Sequence, residues 1–257
     1  LNKTALVVVP GPANIDGWIE EIDKYTDLTC YDLSSDGISR DIKLDLFESG
    51  ENDVIITNYA YLRSFLCDIN KRTNVLVPDK KLIRHVSKYV DSLILDEIHF
   101  CKNHDSINYR ICNPIARQAT CKYGLTGTPF SRDVSVMWAE FFLIDRGKTL
   151  GTTLGLFREA FFSKTKNRWS GGYDYKFNKI YKNKLAQVIQ HRSLRYKDSE
   201  CMDLPKKTYN IIKVRFPKSS QVYYEKAVED IKNSAGNFTA MDFAFTKMRQ
   251  ILSGFIY

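Results

Sequence analysis

The 257-residue chain has only four histidines, and its six cysteines (Cys30, Cys67, Cys101, Cys112, Cys121 and Cys201) form no Cys-x-x-Cys pair. That absence removes the usual spacings of a zinc ribbon or a dithiol redox motif, and scattered thiols suit reduced, apolar use inside a cell. His99, Cys101 and His104 lie close together, but a structural zinc site takes four ligands and no fourth stands at a workable spacing. No apolar run approaches the ~20 residues of a membrane-spanning helix. No basic stretch followed by an apolar block opens the chain. The expected setting is therefore intracellular, with no membrane partner: the cytoplasm of a bacterium or phage-infected cell, or a nucleus. Internal repeats and low-complexity tracts are missing too, which sets repeat arrays aside. Finally, no Gly-x-x-x-x-Gly-Lys-Ser/Thr loop occurs anywhere. Such a loop cradles nucleotide phosphates with its backbone amides and neutralises them with its lysine.

What is present is an ordinary globular composition, 44% hydrophobic and 26% charged, enough for a sizeable core. The length suits one large domain, or one domain with part of another. The net charge of +8 is unevenly placed. Residues 163–213 hold 13 basic and 4 acidic residues, so the rest of the chain is nearly neutral. Trp169, Tyr173, Tyr175, Phe177 and Tyr181 are interleaved with those charges. A basic, aromatic stretch suits a polyanion such as nucleic acid; a solvated charged surface on helices has the same composition.

Along the chain, short apolar runs alternate with amphipathic stretches. Residues 5–9 read as a buried strand stopped by Pro10-Gly11-Pro12. Ile15, Trp18, Ile19 and Ile22 then recur at helical spacing, which assigns them to a core-facing helix. Strands are expected at 28–33, 53–57 and 122–125, and helices around Ile38, Ile42 and Leu46, through Leu62, Phe65 and Leu66, and over 79–89. A polar loop at 102–106 supplies a helix cap before a helix over 107–116, which Pro114 should disturb. Residues 134–144 read as an apolar helix. Strands alternating with helices imply an α/β fold with a parallel, doubly wound sheet. From 154 to 196 the pattern reads as mainly helical, with a break at Gly171-Gly172. One extended strand is expected over 208–216, and helices over 221–231 and 241–252.

The stretch Ser92-Leu93-Ile94-Leu95-Asp96-Glu97-Ile98-His99 carries the most chemistry. A buried parallel strand reads as a short apolar run, and ligands of open α/β sheets sit beyond the carboxyl ends of the strands. Asp96 and Glu97 are thereby delivered to a ligand edge. One carboxylate can hold Mg²⁺ on a nucleotide while the other orients or deprotonates a water. A strand that merely ends in solvated Asp-Glu looks the same in isolation.

The order of several such pieces is more specific. Val9-Pro10, Thr57-Asn58-Tyr59, Asp96 to His99 and Gly124-Leu125-Thr126-Gly127-Thr128-Pro129 follow one another as strand-end motifs. Together they resemble the first RecA-like motor lobe of superfamily 2 helicases and translocases, most closely the Swi2/Snf2-like group. Asp96 to Asn103 is similar to that group's Asp-Glu-Ala-His box with its trailing Lys-Asn. Thr126 to Phe130 followed by Met137-Trp138 is similar to its third motif. Leu194-Arg195-Tyr196-Lys197 before Leu204-Pro205-Lys206-Lys207-Thr208, and Met248 to Gly254, resemble stretches leading into and opening the second lobe.

The resemblance implies ATP as substrate and Mg²⁺ as cofactor, with nucleic acid, most of all double-stranded DNA, as partner. It implies that Asp96 coordinates the Mg²⁺, that Glu97 activates the attacking water, and that His99 couples hydrolysis to strand contacts. Thr126, Gly127 and Thr128 would link the nucleotide to the nucleic acid. Pro10, Gly11, Asn58 and Tyr59 would face its backbone, an expectation that suits small groups at strand ends; Tyr59 could equally be core, and Thr126 and Thr128 could simply cap a turn. Lys179, Lys182 and Lys184 are the expected nucleic-acid contacts of the basic segment. The expected organisation is a first lobe over 1–146, a basic helical protrusion over 147–205, and a linker with the start of a second lobe over 206–257.

Two departures stand out. Ile98 occupies a position where the group has alanine, and Phe100 one where it has a polar or basic residue. With the phosphate loop missing as well, the chain is expected to be an internal piece of a motor, unable to hydrolyse ATP alone. The alternatives are a non-catalytic nucleic-acid-binding remnant, or the motor of a restriction enzyme or strand-separating helicase.

Overall fold

The computed structural model describes residues 4–35, 37–127, 133–167, 171–196, 208–213, 217–234 and 237–254. Its contacts divide the chain into two compact units, Leu1–Arg195 and Tyr196–Tyr257. In the first unit the strands are β1 (Thr4–Val9), β2 (Cys30–Asp32), β3 (Val54–Asn58), β4 (Cys67–Asn70), β5 (Val75–Pro78), β6 (Val90–Leu95) and β7 (Cys121–Gly124). Five of them make one parallel sheet in the order β2-β3-β1-β6-β7. The α/β, parallel-sheet expectation is met.

The sheet sits in the middle because its central strands are apolar on both faces. Leu6 and Val8 point to one side with Ile55, Leu93 and Leu95, and Val7 and Val9 to the other with Ile56. This is the period of two expected of a pleated strand. The second face is covered by Ile15, Trp18, Ile19 and Ile22 of α1 (Ala13–Tyr25). The first is covered by side chains of α2 (Arg40–Ser49), α3 (Tyr59–Leu66), α4 (Lys80–Ser87), α5 (Ile107–Gln118) and α6 (Met137–Asp145). Local chemistry sets the helix starts. Ser39, Asn58, Asp79 and Ser106 each accept a hydrogen bond from a backbone N–H of the first turn.

Several local expectations are corrected. The helix expected around Ile42 and Leu46 is present as α2, but Ile42 is exposed and the residues the helix buries are Lys43 and Phe47. The Lys43 Nζ donates to the Leu33 and Ser35 carbonyls and to the Tyr61 hydroxyl, each at 2.7 Å, so all three of its protons find acceptors. Helix α5 runs unbroken through Pro114 to Gln118. β4 and β5 form an antiparallel hairpin that no apolar alternation announces. Residues 208–213 form no strand and are exposed, while 214–216 lie outside the described residues.

The segment after α6 is not mainly helical. It contains α7 (Leu154–Phe161), an antiparallel ribbon of β8 (Phe162–Lys166) and β9 (Tyr173–Phe177), and α8 (Lys182–Gln190). Phe157, Phe161, Phe162, Phe177 and Tyr181 stack edge-on or tilted against one another and root the ribbon in the core. In the second unit, α9 (Lys218–Asn233) packs on α10 (Phe238–Leu252) as a helical hairpin with Ala227, Ala244 and Ile251 buried. No helix among the described residues is long and apolar enough to cross a membrane.

Candidate functional site

Because the sheet is parallel, every strand delivers its carboxyl end to one edge. The register aligns Val8 with Thr57 on one side and with Leu95 on the other, and Leu95 with Gly124. Asn58 pairs with Val9, so Asn58, Asp96 and Leu125 form one row at the end of the sheet, with Pro10 the next residue beyond it. The neighbours β1 and β6 send their following connections to opposite sides, toward β2 and toward β7, and ligands of open α/β sheets sit outside the carboxyl ends at such a switch point.

Asp96 and Glu97 are half-buried in that row. The Asp96 backbone N–H donates to the Val8 carbonyl at 2.9 Å, continuing the ladder by one residue. Glu97 then turns the chain, adopting a left-handed conformation at φ 48°, ψ 57°. Non-glycine residues occupy that region at a cost and mostly where the surroundings hold them. Here the next residue is held: the Ile98 N–H donates to the Leu125 carbonyl at 2.9 Å, and the Leu125 N–H to the Leu95 carbonyl at 2.9 Å. The result is a one-turn 3-10 helix, Ile98–Cys101, whose start aims the Glu97 side chain toward the end of β7.

Both carboxylates are fixed. Asp96 Oδ1 accepts from the Glu97 N–H at 3.0 Å and Oδ2 from the indole Nε1 of Trp18 at 3.1 Å. Glu97 Oε2 accepts from the Thr126 hydroxyl at 3.0 Å, and His99 Nδ1 lies 3.0 Å from the same oxygen. Two partners thus converge on Oε2, and Oε1 has none among the described residues. Such a carboxylate is held in place with one oxygen open to a ligand or water.

Tyr59 supports the row from beneath. It is buried, its hydroxyl donates to the Asp96 carbonyl at 3.0 Å, and its ring stacks on Phe100 at 5.0 Å. Burial pushes its hydroxyl far above the ordinary tyrosine range, with Cys101, Cys112 and Asp96 adding to the effect. It is accordingly a permanent donor. Asn58 is also buried, and its Oδ1 caps α3 by accepting from the Tyr61 N–H at 2.9 Å. Neither side chain faces outward as the nucleic-acid expectation required; both position neighbouring backbone. Pro10 and Gly11 are half-buried and lead directly into α1, where Ile15 N–H donates to the Pro12 carbonyl.

The structure thus brings together Asp96, Glu97, His99 and Thr126, and places Pro10, Gly11, Asn58 and Tyr59 on the same edge. Gly127 is exposed beside Thr126, and Thr128 lies outside the described residues. Lys179 lies in the short 3-10 turn between the ribbon and α8, Lys182 and Lys184 lie in the first turn of α8, and all three are exposed. Trp18 is the residue that sequence reasoning missed, because its period assigned it to the core. The available signal was its N–H, since a buried indole must find an acceptor.

The donor set fits Mg²⁺ carried by a nucleotide. Asp96 offers hard carboxylate oxygens at a half-open edge, and no cluster of three or more His, Cys, Asp or Glu able to cage a metal exists among the described residues. Mg²⁺ is typically bound by one or two carboxylates plus substrate phosphates, not by an all-protein cage.

The profile of the SNF2-related domain matches residues 2–255. No curated protein sequence matches the chain. Among solved structures, a chain of the Sulfolobus solfataricus SWI2/SNF2 ATPase core in complex with dsDNA matches with a TM-score of 0.51 at 20% identity. The match covers 97% of this chain and 47% of that one, so this chain spans about half the length of its structural relative. At that identity the likeness speaks for the fold, a RecA-like sheet with flanking helices. With the strand-end motifs in order at one edge and the profile matching almost end to end, this chain belongs to the SNF2-related domain family.

Proposed function

We propose that these residues form part of an ATP-dependent motor that moves along double-stranded DNA. Asp96 holds the Mg²⁺ of ATP, which neutralises charge on the phosphates, and Glu97 orients the attacking water through its open Oε1. His99 and Thr126 keep Glu97 in register and report its state to neighbouring loops. The observation that carries this reading is the pinned Glu97: an αL turn, a hydroxyl and an imidazole all serve to aim one carboxylate. Pro10 and Gly11, on the same edge, contact the DNA backbone together with Gly127 and Thr128. Asn58 and Tyr59 act one layer below them as supports. Residues 1–146 make most of the first motor lobe, 147–205 a basic protrusion, and 206–257 a linker and the opening of a second lobe.

No Gly-x-x-x-x-Gly-Lys-Ser/Thr phosphate loop occurs within these 257 residues, so the motor reading requires the intact protein to supply one. The outer edge of β7 suits a further strand that would bring it. That edge is unpaired among the described residues, with Tyr123 59% and Leu125 42% exposed.

The deciding measurement is ATP hydrolysis by the intact protein with duplex DNA, single-stranded DNA and RNA compared side by side. Duplex DNA should stimulate most. Glu97→Gln should lower the stimulated rate by about 100-fold or more while nucleotide binding changes less than about threefold. Normal hydrolysis by that variant would remove Glu97 from the catalytic role. A second reading, a non-catalytic DNA-binding remnant, is favoured by the missing phosphate loop. The gene upstream of Leu1 separates the two, since a Gly-Lys-Ser/Thr loop encoded there favours the motor.

A further inference from the structure

The ribbon β8–β9 is a second place where the chain gathers chemistry. In its register Lys164 stands opposite Tyr175 and Lys166 opposite Tyr173, while Phe162 pairs with Phe177 at the root. Directly opposed residues share a face, so one face carries the Phe pair below and two Lys–Tyr pairs above it. The other face carries Ser163 with Lys176 and Thr165 with Asp174. Asp174, the one acid in the ribbon, is engaged there by the Asn167 side-chain amide at 3.1 and 3.2 Å.

The tyrosines are not packed away. Tyr173 is 52% and Tyr175 37% exposed, and a cation is set against each. Lys164 Nζ lies 3.9 Å from the Tyr173 ring centre, and the Arg158 guanidinium of α7 lies 4.8 Å from that of Tyr175. Each ring is thus steadied by a cation and still accessible. Among the described residues no carboxylate lies within ion-pair distance of Lys164, Lys166, Lys176 or Arg158, so these charges are uncompensated.

We propose that this face binds a single nucleic-acid strand with unstacked bases, the bases lying on Tyr173 and Tyr175 and the phosphates on Lys164, Lys166 and Arg158. The inference rests on the nucleic-acid reading above and adds a second, strand-selective surface to it. An intact duplex keeps its base faces inside the stack, so two open rings gain little from it. A single strand offers a π-face and a phosphate at every nucleotide, and aromatic platforms flanked by cations are the usual means of holding it. Tyr173 and Tyr175 are two residues apart on one strand, hence about 6.8 Å apart. That is twice the 3.4 Å rise of stacked bases, and suits bases drawn apart.

The test is fluorescence anisotropy of the whole chain with a labelled 20-nucleotide oligo-dT and a labelled 20-base-pair duplex at two salt concentrations. Tyr173→Leu/Tyr175→Leu, which keeps apolar bulk in the ribbon, should weaken oligo-dT binding about fivefold or more and duplex binding less than about twofold. Tyr173→Phe/Tyr175→Phe, which keeps the rings, should match wild type on both. A smaller oligo-dT loss in the leucine pair overturns the proposal, as does an equal loss on duplex or an equal loss in the phenylalanine pair. If the wild-type chain binds duplex but no oligo-dT, the ribbon proposal falls and the motor reading stands. If it binds neither, both fall.

Discussion

At the scale of single residues, the box after β6 is organised by one missing side chain. A Cβ built on Gly124 would lie 2.6 Å from Ile98 Cδ1, 2.9 Å from Ile144 Cδ1 and 3.3 Å from Ile98 Cβ. The bulk of Ile98, where the family has alanine, is therefore accommodated by the absence of a side chain on the neighbouring strand. The same contact lies one hydrogen bond from the catalytic candidates, because the Ile98 N–H is held by the Leu125 carbonyl. Gly124→Ala should destabilise the chain by about 1–3 kcal/mol through overpacking. In the double variant Ile98→Ala/Gly124→Ala the new methyl enters space that Ile98 has vacated. The double should be more stable than the sum of the singles by about 1 kcal/mol. Urea unfolding of the four species measures this; strict additivity would mean that the two side chains do not compete for that space.

At the scale of elements, α6 is apolar nearly all round, with Met137, Trp138, Ala139 and Leu143 buried, and it carries two buried acids: Asp145 accepts from the Gly147 and Thr149 N–H groups, while Glu140 stands in the apolar setting. Glu140 is 3% exposed and its Oε1 has no hydrogen-bond partner among the described residues. Burial pushes its carboxyl up from 4.5 to about 8, with Lys102 opposing weakly. Below pH 4.5 the acid is neutral in both folded and unfolded chains and no penalty arises. As pH rises from 4.5 toward about 8 the unfolded chain ionises and the folded one does not. Stability should therefore fall across that window, by up to about 1.4 kcal/mol per pH unit. Glu140→Gln should be nearly indistinguishable from wild type at pH 5 and more stable at pH 8, by several degrees in melting temperature. Parallel melting curves for the two proteins at pH 8 would show that the buried acid is already compensated. The burial of this acid was not legible in advance, since a single Glu in the apolar helix expected over 134–144 could as well lie on an exposed face. The centre of the sheet was legible, because β1, β3 and β6 carry short apolar runs closed by Pro10, Asn58 and Asp96. The ribbon was not: β8 and β9 are exposed, alternate Lys, Thr and Tyr without an apolar face, and meet near Gly171-Gly172, which reads equally well as a helix break.

At the scale of the whole molecule, the carboxylate site and the positive charge are drawn from different parts of the chain. The carboxylates stand on a rigid parallel sheet, and their ordering in the sequence was enough to expect them at one edge. Their supports were only partly legible: Tyr59 could be read as core and the Trp18 indole as needing an acceptor, but the partners that Trp18, Tyr59 and Asn58 find are set by burial and hydrogen bonding that no linear spacing encodes. The charge lies in residues 163–213, the stretch with 13 basic and 4 acidic residues, whose described part includes the ribbon and α8. Lys179, Lys182 and Lys184 are all exposed there, but they do not form one stripe. Lys182 and Lys184 are two residues apart on α8, about 200° around its axis. A duplex lying along one side can therefore engage about two of the three. Each phosphate neutralised contributes about 0.9 to the slope of log affinity against log salt. Changing all three to alanine should weaken duplex binding and lower that slope by about 2, without altering the response to base sequence. The binding isotherms should be taken between about 50 and 200 mM salt, where this dependence is steep. An unchanged slope would reduce the three lysines to solvated surface and leave the ribbon as the charged face to test.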